Sequence, residues 1–80
     1  MTLFISAGSH AGIRPGDLVG AIANEAGLSS RDIGPIEIRD MFSLVGVPPA
    51  SAERVIEALG NTKLRGRKVR VNRERGTRER

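Results

Sequence analysis

Cysteine, tryptophan and tyrosine are absent from the 80-residue sequence, and phenylalanine occurs only twice, as Phe4 and Phe42. Without cysteine the chain forms neither a disulfide nor a thiolate zinc site, so burial of aliphatic side chains must stabilise the fold. The absence of cysteine also agrees with a reducing cytoplasm, where we expect the protein to act. No apolar run reaches the roughly 20 residues that span a bilayer, and the first residues lack the charged and apolar regions of a signal peptide. We therefore expect no membrane partner.

Groups that carry out catalysis are also scarce. His10 is the single histidine, and no acidic partner lies near it in the sequence to make it a general base. Ser6, Ser9 and Ser43 lack an identifiable activating base, and the glycines near Gly8 do not form the Gly-Lys-Ser/Thr end of an ATP-binding loop. A domain of this size buries only roughly 60% of the surface of its unfolded chain, which leaves little room for a deep active site. We expect no catalytic residue, metal ion or cofactor in this chain.

Positive charge is abundant but confined to one end of the sequence. Residues 63–80 contain nine of the thirteen basic residues and two of the nine acidic ones, a net charge of +7, whereas residues 1–62 carry four basic and seven acidic residues, a net charge of −3. The basic residues of this C-terminal segment are Lys63, Arg65, Arg67, Lys68, Arg70, Arg73, Arg75, Arg78 and Arg80. A concentrated positive potential attracts polyanions, which release counterions on binding. Nucleic acid is therefore the first partner to consider, and a solvated tail that only keeps the domain soluble is the alternative.

Hydrophobic periodicity predicts six regular elements in the order β-α-β-β-α-β. Helices are predicted from Pro15 to Ala26, ended by Gly27, and from Ser51, as the N-cap, to Leu59. Strands are predicted over residues 3–7, 33–39, 42–47 and 68–72. This order is typical of the ferredoxin-like α+β fold, in which two helices cover one face of a four-stranded antiparallel sheet. We expect a folded domain over residues 1–72 and a basic, disordered tail over residues 73–80, which contain no apolar residue.

Alternation within the predicted strands assigns side chains to the two faces of the sheet. If the aliphatic positions point toward the helices, the uncovered face carries Phe4, Ser6, Glu37, Arg39, Phe42, Leu44, Lys68, Arg70 and Asn72. The first and third strands are the central ones in the usual topology, so Phe4 and Phe42 are expected to be neighbours. Two exposed rings beside basic groups form a platform on which bases of single-stranded nucleic acid stack. The alternative is that either ring packs beneath the tail or a loop.

Five segments, taken together and in this order, resemble the C-terminal RNA-binding domain of DbpA-type (DeaD/CsdA-like) DEAD-box RNA helicases. They are residues 3–8, 13–19, 33–38, 42–45 and 63–67, and the resemblance covers about residues 3–72. It implies an RNA-recognition-like domain that docks a helicase core in the same chain onto structured RNA, in the best-known members a hairpin of large-subunit ribosomal RNA, while the helicase domains use ATP. Phe4 matches the exposed aromatic residue of the family's first strand. Leu44 departs from the pattern of several members, because leucine offers apolar contact without ring stacking.

The residues expected to contact RNA combine stacking with neutralisation of phosphates. They are Phe4, Ser6, Arg14, Arg39, Phe42, Leu44, Lys63, Arg65, Arg67, Lys68, Arg70, Asn72 and Arg73. Arg14, with the free amides at the start of the first helix, is a candidate phosphate site, and an ordinary surface arginine is the alternative. Glu37 and Asp40 would repel phosphates, so the second strand is expected to limit the contact area. Protein interaction or dimerisation through the same face stays open as a second class of function, although we expect a monomer in isolation.

Overall fold

The computed structural model describes residues 1–74. Its helices are α1 (Pro15–Ala26) and α2 (Ala52–Gly60), and its strands are β1 (Thr2–Ile5), β2 (Ile36–Ile38), β3 (Ser43–Gly46), β4 (Lys63–Leu64), β5 (Arg67–Lys68) and β6 (Val71–Arg73). Short 3₁₀ turns cover Ser9–Ala11, Ser30–Asp32 and Pro49–Ser51. The expected tail falls mostly on residues 75–80, outside the described part of the chain, so its disorder stays a prediction.

Four of the strands form an antiparallel sheet in the order β2-β3-β1-β6, and the helices pack together on one of its faces. This arrangement confirms the predicted ferredoxin-like α+β fold. Leu3 and Ile5 of the central strand β1 are fully buried between sheet and helices, as are Val45, Leu18 and Leu59. Aliphatic burial is thus the main source of stability, as the composition requires. Within residues 1–74, neither helix is long and apolar enough to cross a membrane.

Both helices begin and end where local chemistry favours it. Pro15 occupies the first turn of α1, and the Asp17 carboxylate accepts a hydrogen bond of 2.9 Å from the backbone N–H of Arg14. Gly27 ends α1 in a left-handed conformation, with φ of 74°. The predicted hydrogen bond from the first amides of α2 to Ser51 is not formed, because Ser51 already belongs to the preceding 3₁₀ turn and has a helical backbone conformation.

The second strand is shorter than the sequence predicted. It begins at Ile36, because Gly34 and Pro35 together face the single residue Gly46. The Gly34 N–H donates to the Gly46 carbonyl oxygen at 2.7 Å, and the Gly46 N–H donates to the Pro35 carbonyl oxygen at 2.9 Å. Two residues opposite one is the pattern of a β-bulge, which tolerates a proline without an N–H at a sheet edge. The bulge leaves Ile33 outside the strand but still against the core.

The predicted basic strand over residues 68–72 is divided between two sheets, which corrects the sequence interpretation. Lys68 pairs with Lys63 in the separate β4–β5 hairpin, whereas β6 begins only at Val71 and pairs with β1. The predicted alternation itself is confirmed, because Val69 and Val71 are buried while Lys68 and Arg70 are exposed. The strand divides because the Arg70 N–H donates to the Ser6 hydroxyl at 2.7 Å and turns the chain into the main sheet.

The folded domain also extends past the predicted boundary at Asn72. Arg73 is the last residue of β6 and pairs with Leu3. One residue further, the Glu74 N–H donates to the Thr2 carbonyl oxygen at 2.8 Å. These two residues lack apolar side chains, but the backbone of β1 supplies the hydrogen bonds that keep them in the sheet.

Candidate nucleic-acid interface

The face of the sheet opposite the helices, called here the open face, presents side chains in rows across the strands. Phe4 lies directly opposite Leu44 on one side and Asn72 on the other, and Glu37 lies opposite Leu44. The next row contains Arg39, Phe42, Ser6 and Arg70, joined by backbone hydrogen bonds from Arg39 to Phe42 and from Ser6 to Arg70. Directly paired residues point to the same face of a sheet, so these eight residues share one surface.

The two phenylalanine rings stack on each other at the centre of the open face. The centroids of the Phe4 and Phe42 rings are 5.3 Å apart, and the ring planes differ by 22°. Both residues are half-buried, whereas Leu3 and Ile5 of the same strand are fully buried on the helix side. The predicted strand parity is therefore confirmed, and neither ring lies beneath the helices. The pair forms one continuous aromatic surface, which is a geometry suited to contact with planar groups.

Charge on the open face is partly compensated. The Arg39 guanidinium lies 2.7 Å from the Glu37 carboxylate, and both side chains are more than half exposed. An exposed ion pair of this kind contributes roughly 0.2–1 kcal/mol, so an RNA phosphate can compete for the arginine. Arg70 and Asn72 are exposed at the opposite edge of the face. Within residues 1–74, Arg70 forms no ion pair, so its charge is available to an anionic ligand.

A second basic surface is formed by the β4–β5 hairpin, residues 63–68, called here the basic hairpin. Its turn residues Arg65 and Gly66 both have positive φ, 53° and 78°, as a two-residue type I′ turn requires. Buried Leu64 anchors the hairpin to the core, and Arg65 Nε donates to the Gly12 carbonyl oxygen at 3.1 Å. The same Nε lies 3.6 Å from Asp17. Arg65 therefore fixes the hairpin against the start of α1, a contact that the sequence did not indicate.

Like charges meet within the basic hairpin. Lys63 lies directly opposite Lys68, an arrangement that is destabilising between exposed strands. Over the part of the chain that the structure describes, Lys63, Arg67 and Lys68 form no ion pair. An uncompensated cluster of three cations would be relieved by a polyanion at its surface.

Two of the expected RNA contacts lie apart from these surfaces. Arg73 points toward the helix side with its neighbour Leu3, and its Nη2 is 3.3 Å from the Glu53 carboxylate of α2. Arg14 is exposed at the start of α1, where its backbone is capped by Asp17. The structure thus brings together Phe4, Ser6, Arg39, Phe42, Leu44, Arg70 and Asn72 on the open face, and Lys63, Arg65, Arg67 and Lys68 on the basic hairpin.

One exposed residue beside the rings was missed by sequence reasoning. Met41, which precedes Phe42 in the turn between β2 and β3, has 69% of its surface exposed. Burial of a methionine side chain is normally favourable by roughly 1.5–3 kcal/mol, so an exposed one next to a ring pair indicates a contact surface. No periodic pattern could have shown this, because Met41 lies in a turn.

Comparison with known proteins agrees with this geometry. A family model described as the DbpA RNA-binding domain matches residues 2–73, nearly all of the described chain. The chain belongs to this family. Among its relatives is the ATP-dependent RNA helicase DbpA of Escherichia coli (strain K12), 37% identical over 70 residues, which are 88% of this chain and 15% of the relative.

Other relatives of the DbpA RNA-binding domain family give the same result. The ATP-dependent RNA helicase DeaD of Mycobacterium tuberculosis (strain H37Rv) is 40% identical over 65 residues, 81% of this chain and 12% of the relative. The ATP-dependent RNA helicase DbpA of Bacillus subtilis (strain 168) is 36% identical over 72 residues, 90% of this chain and 15% of the relative. The resemblance inferred from the five sequence segments is confirmed. The chain therefore corresponds to about one seventh of the length of these helicases.

Proposed function

We propose that this domain docks an ATP-dependent DEAD-box RNA helicase on structured RNA, with ribosomal RNA as the expected class, through the open face and the basic C-terminal segment. The proposal rests on the stacked Phe4–Phe42 pair, which lies uncovered at the centre of the open face. Membership of the DbpA RNA-binding domain family supports RNA as the ligand. Exposed rings on a four-stranded sheet are a recurrent means of binding unpaired bases.

In this proposal the two surfaces have different tasks. Unpaired bases stack on Phe4 and Phe42, with Leu44 as an apolar neighbour of the rings. Arg70 and the basic hairpin neutralise phosphates, which position the RNA without reading its sequence. Binding is therefore expected to weaken as salt concentration rises, since the neutralised phosphates release counterions.

Catalysis is assigned to helicase domains elsewhere in a longer chain. The relatives carry the name of ATP-dependent RNA helicases, and this chain matches only 12–15% of the length of the three described above. A tethered RNA-binding domain raises the effective concentration of the attached core at its target. A cytoplasmic location, expected from the cysteine-free composition, stays a prediction.

Replacing Phe4 with alanine tests the stacking contact directly. We expect RNA affinity to fall by roughly 1–3 kcal/mol, the usual contribution of one base stacked on an aromatic side chain. Fluorescence anisotropy with labelled RNA hairpins and single strands, at two salt concentrations, measures the loss, and thermal unfolding verifies that the variant is folded. The control is Ile56→Ala on α2, which removes a partly buried apolar group on the helix side. Unchanged affinity in folded Phe4→Ala protein would remove the stacking mechanism.

Sedimentation of the isolated domain separates the proposal from the alternative of a protein-interaction module. An RNA-binding domain is expected to sediment as a monomer and to bind RNA in a salt-dependent manner. A dimer that ignores every RNA in the panel would favour association through the exposed apolar groups of the open face instead.

A further inference from the structure

A small recess opens beside the ring pair, at the end of the open face nearest Phe42. Its volume is about 210 Å³, and its walls include Ser6, Gly8, His10, Asp40, Met41 and Arg67. Three separate segments contribute these residues: the loop after β1, the turn between β2 and β3, and strand β5. Pockets for drug-sized ligands occupy roughly 300–1,000 Å³, so this recess suits a smaller group such as a single nucleobase.

Backbone contacts fix the recess before any ligand arrives. Gly8 packs so closely on the β2–β3 turn that a Cβ atom there would lie 2.1 Å from the Arg39 carbonyl oxygen. The Ser9 N–H donates to that same oxygen at 2.8 Å, and the His10 N–H donates to the Asp40 carbonyl oxygen at 3.0 Å. Two walls of the recess are therefore joined through main-chain hydrogen bonds. A rigid, preformed cavity lowers the entropic cost of binding.

The side chains of the recess offer an acceptor, a donor and an apolar surface. The Asp40 carboxylate accepts one weak hydrogen bond of 3.4 Å from the Ser9 hydroxyl through Oδ1, and its remaining lone pairs are open to a ligand. Arg67 lines the same recess without pairing to Asp40, and over residues 1–74 its guanidinium forms no ion pair. Met41, 69% exposed, supplies the apolar group at the margin. A phosphate is disfavoured here, because Asp40 would repel it.

We propose that this recess binds a guanine base of RNA, a deepening that rests on the proposed RNA-binding function. Guanine presents two neighbouring donors, N1–H and N2–H, which match the two oxygens of the Asp40 carboxylate. It also presents the acceptors O6 and N7, the preferred partners of an arginine such as Arg67. Adenine places an acceptor where the carboxylate needs a donor, and cytosine offers one amino group only. A base bound here continues the stack on Phe42, the next residue after Met41.

The test uses labelled uridine hexamers in which a single guanosine occupies each position in turn, with adenosine and cytidine versions for comparison. One well-placed guanosine is expected to strengthen binding by about tenfold, since a bidentate contact discriminates bases by roughly 1–3 kcal/mol. Inosine, which lacks the N2 amine, should recover only part of the gain. Asp40→Asn should abolish the preference, because an amide cannot accept two hydrogen bonds through separate oxygens.

Glu37→Gln is the matched control, since it removes another exposed carboxylate from the open face. It should change the affinity of all hexamers alike and leave the guanine preference intact. The assignment is overturned if Asp40→Asn also acts uniformly, if cytidine is preferred, or if guanosine gives no gain at any position. In those cases the RNA-binding proposal still stands when Phe4→Ala weakens binding.

Titration with guanosine 5′-monophosphate separates failure of the recess from failure of RNA binding. Amide chemical shifts of Gly8, His10 and Met41 should change with this nucleotide and much less with adenosine 5′-monophosphate. Such shifts in a protein that binds no RNA would uphold the guanine recess and refute the proposed function. Equal shifts with both nucleotides would refute the guanine assignment.

Discussion

Gly8 occupies a position where the main chain of one loop touches the main chain of another. A Cβ atom at Gly8 would lie 2.1 Å from the Arg39 carbonyl oxygen, 2.7 Å from the Phe42 nitrogen and 2.8 Å from the Asp40 carbonyl oxygen. All three atoms belong to the backbone of the β2–β3 turn, so no side-chain rotation relieves the overlap. The glycine is required for space here, not for backbone conformation.

Gly8→Ala is therefore expected to destabilise the domain. Overpacking of this kind costs about 1–3 kcal/mol, and each kcal/mol lowers Tm by roughly 4–8 °C in a domain of this size. Differential scanning calorimetry measures the shift. Gly20→Ala in the middle of α1 is the control, because a Cβ there meets nothing within 4 Å and alanine favours the helix by about 1 kcal/mol. If both variants melted at the same temperature as the parent, the close contact would be wrong.

Single-residue predictions succeeded where they depended on alternation alone. Leu3 and Ile5 face the core while Phe4 faces outward, and these directions follow from the period of two in any strand. The neighbourhood of Met41 and Asp40 was not predictable in the same way. Both lie in a turn, where the side chains are directed by hydrogen bonds to a loop that is distant in sequence.

Among the elements, the basic hairpin combines a firm anchor with an unstable charge arrangement. Leu64 is buried and Arg65 binds the start of α1, whereas Lys63 and Lys68 face each other across the two strands. Repulsion between opposed like charges reduces folding stability, so the pair is maintained at some cost. A role in phosphate binding accounts for its presence.

The double variant Lys63→Gln with Lys68→Gln tests that role. Stability in thermal unfolding should stay equal or rise, because the repulsion is removed. RNA affinity should fall, and the slope of log affinity against log salt should decrease by about 0.7–0.9 for each lost phosphate contact. Arg31→Gln with Arg54→Gln removes the same charge from the acidic part of the chain. An equal loss in this control would assign the effect to net charge alone.

The hairpin also shows the limit of element prediction. The run from Lys68 to Asn72 has the alternation of one strand, and its valines are buried as that pattern predicts. Its division depends on the left-handed turn at Arg65 and on the hydrogen bond between Arg70 and the Ser6 hydroxyl. The Ser6 contact joins residues that are 64 positions apart, so no local window of the sequence contains it.

In the whole molecule, positive charge and aromatic surface meet at one side of a sheet. The acidic residues of the first 62 positions include Glu53 and Glu57 on α2, on the helix side. Arg70 and the basic hairpin instead adjoin the open face and its recess. Such separation orients an approaching polyanion before contact is made. The sorting was visible in the sequence, and its alignment with the ring pair became visible only in the fold.

Truncation after Glu74 tests the contribution of the last six positions, which carry Arg75, Arg78 and Arg80. We expect an unchanged Tm, because β6 ends at Arg73. RNA affinity should fall uniformly across RNA sequences, with a smaller salt slope, as expected for contacts to phosphates. A truncated protein that binds RNA as tightly as the parent would show that the tail serves solubility only.

The pairing of β1 with β6 also governs how the chain reaches its native state. Leu3 faces Arg73 in the sheet, so nearly the entire described polypeptide must be threaded into place before the central strand gains its second neighbour. Closing so large a loop is entropically slow, and the loss of either terminal strand would leave an unpaired edge along β1. Folding is consequently cooperative from end to end, and a nascent chain cannot complete the sheet before residue 73 has left the ribosome.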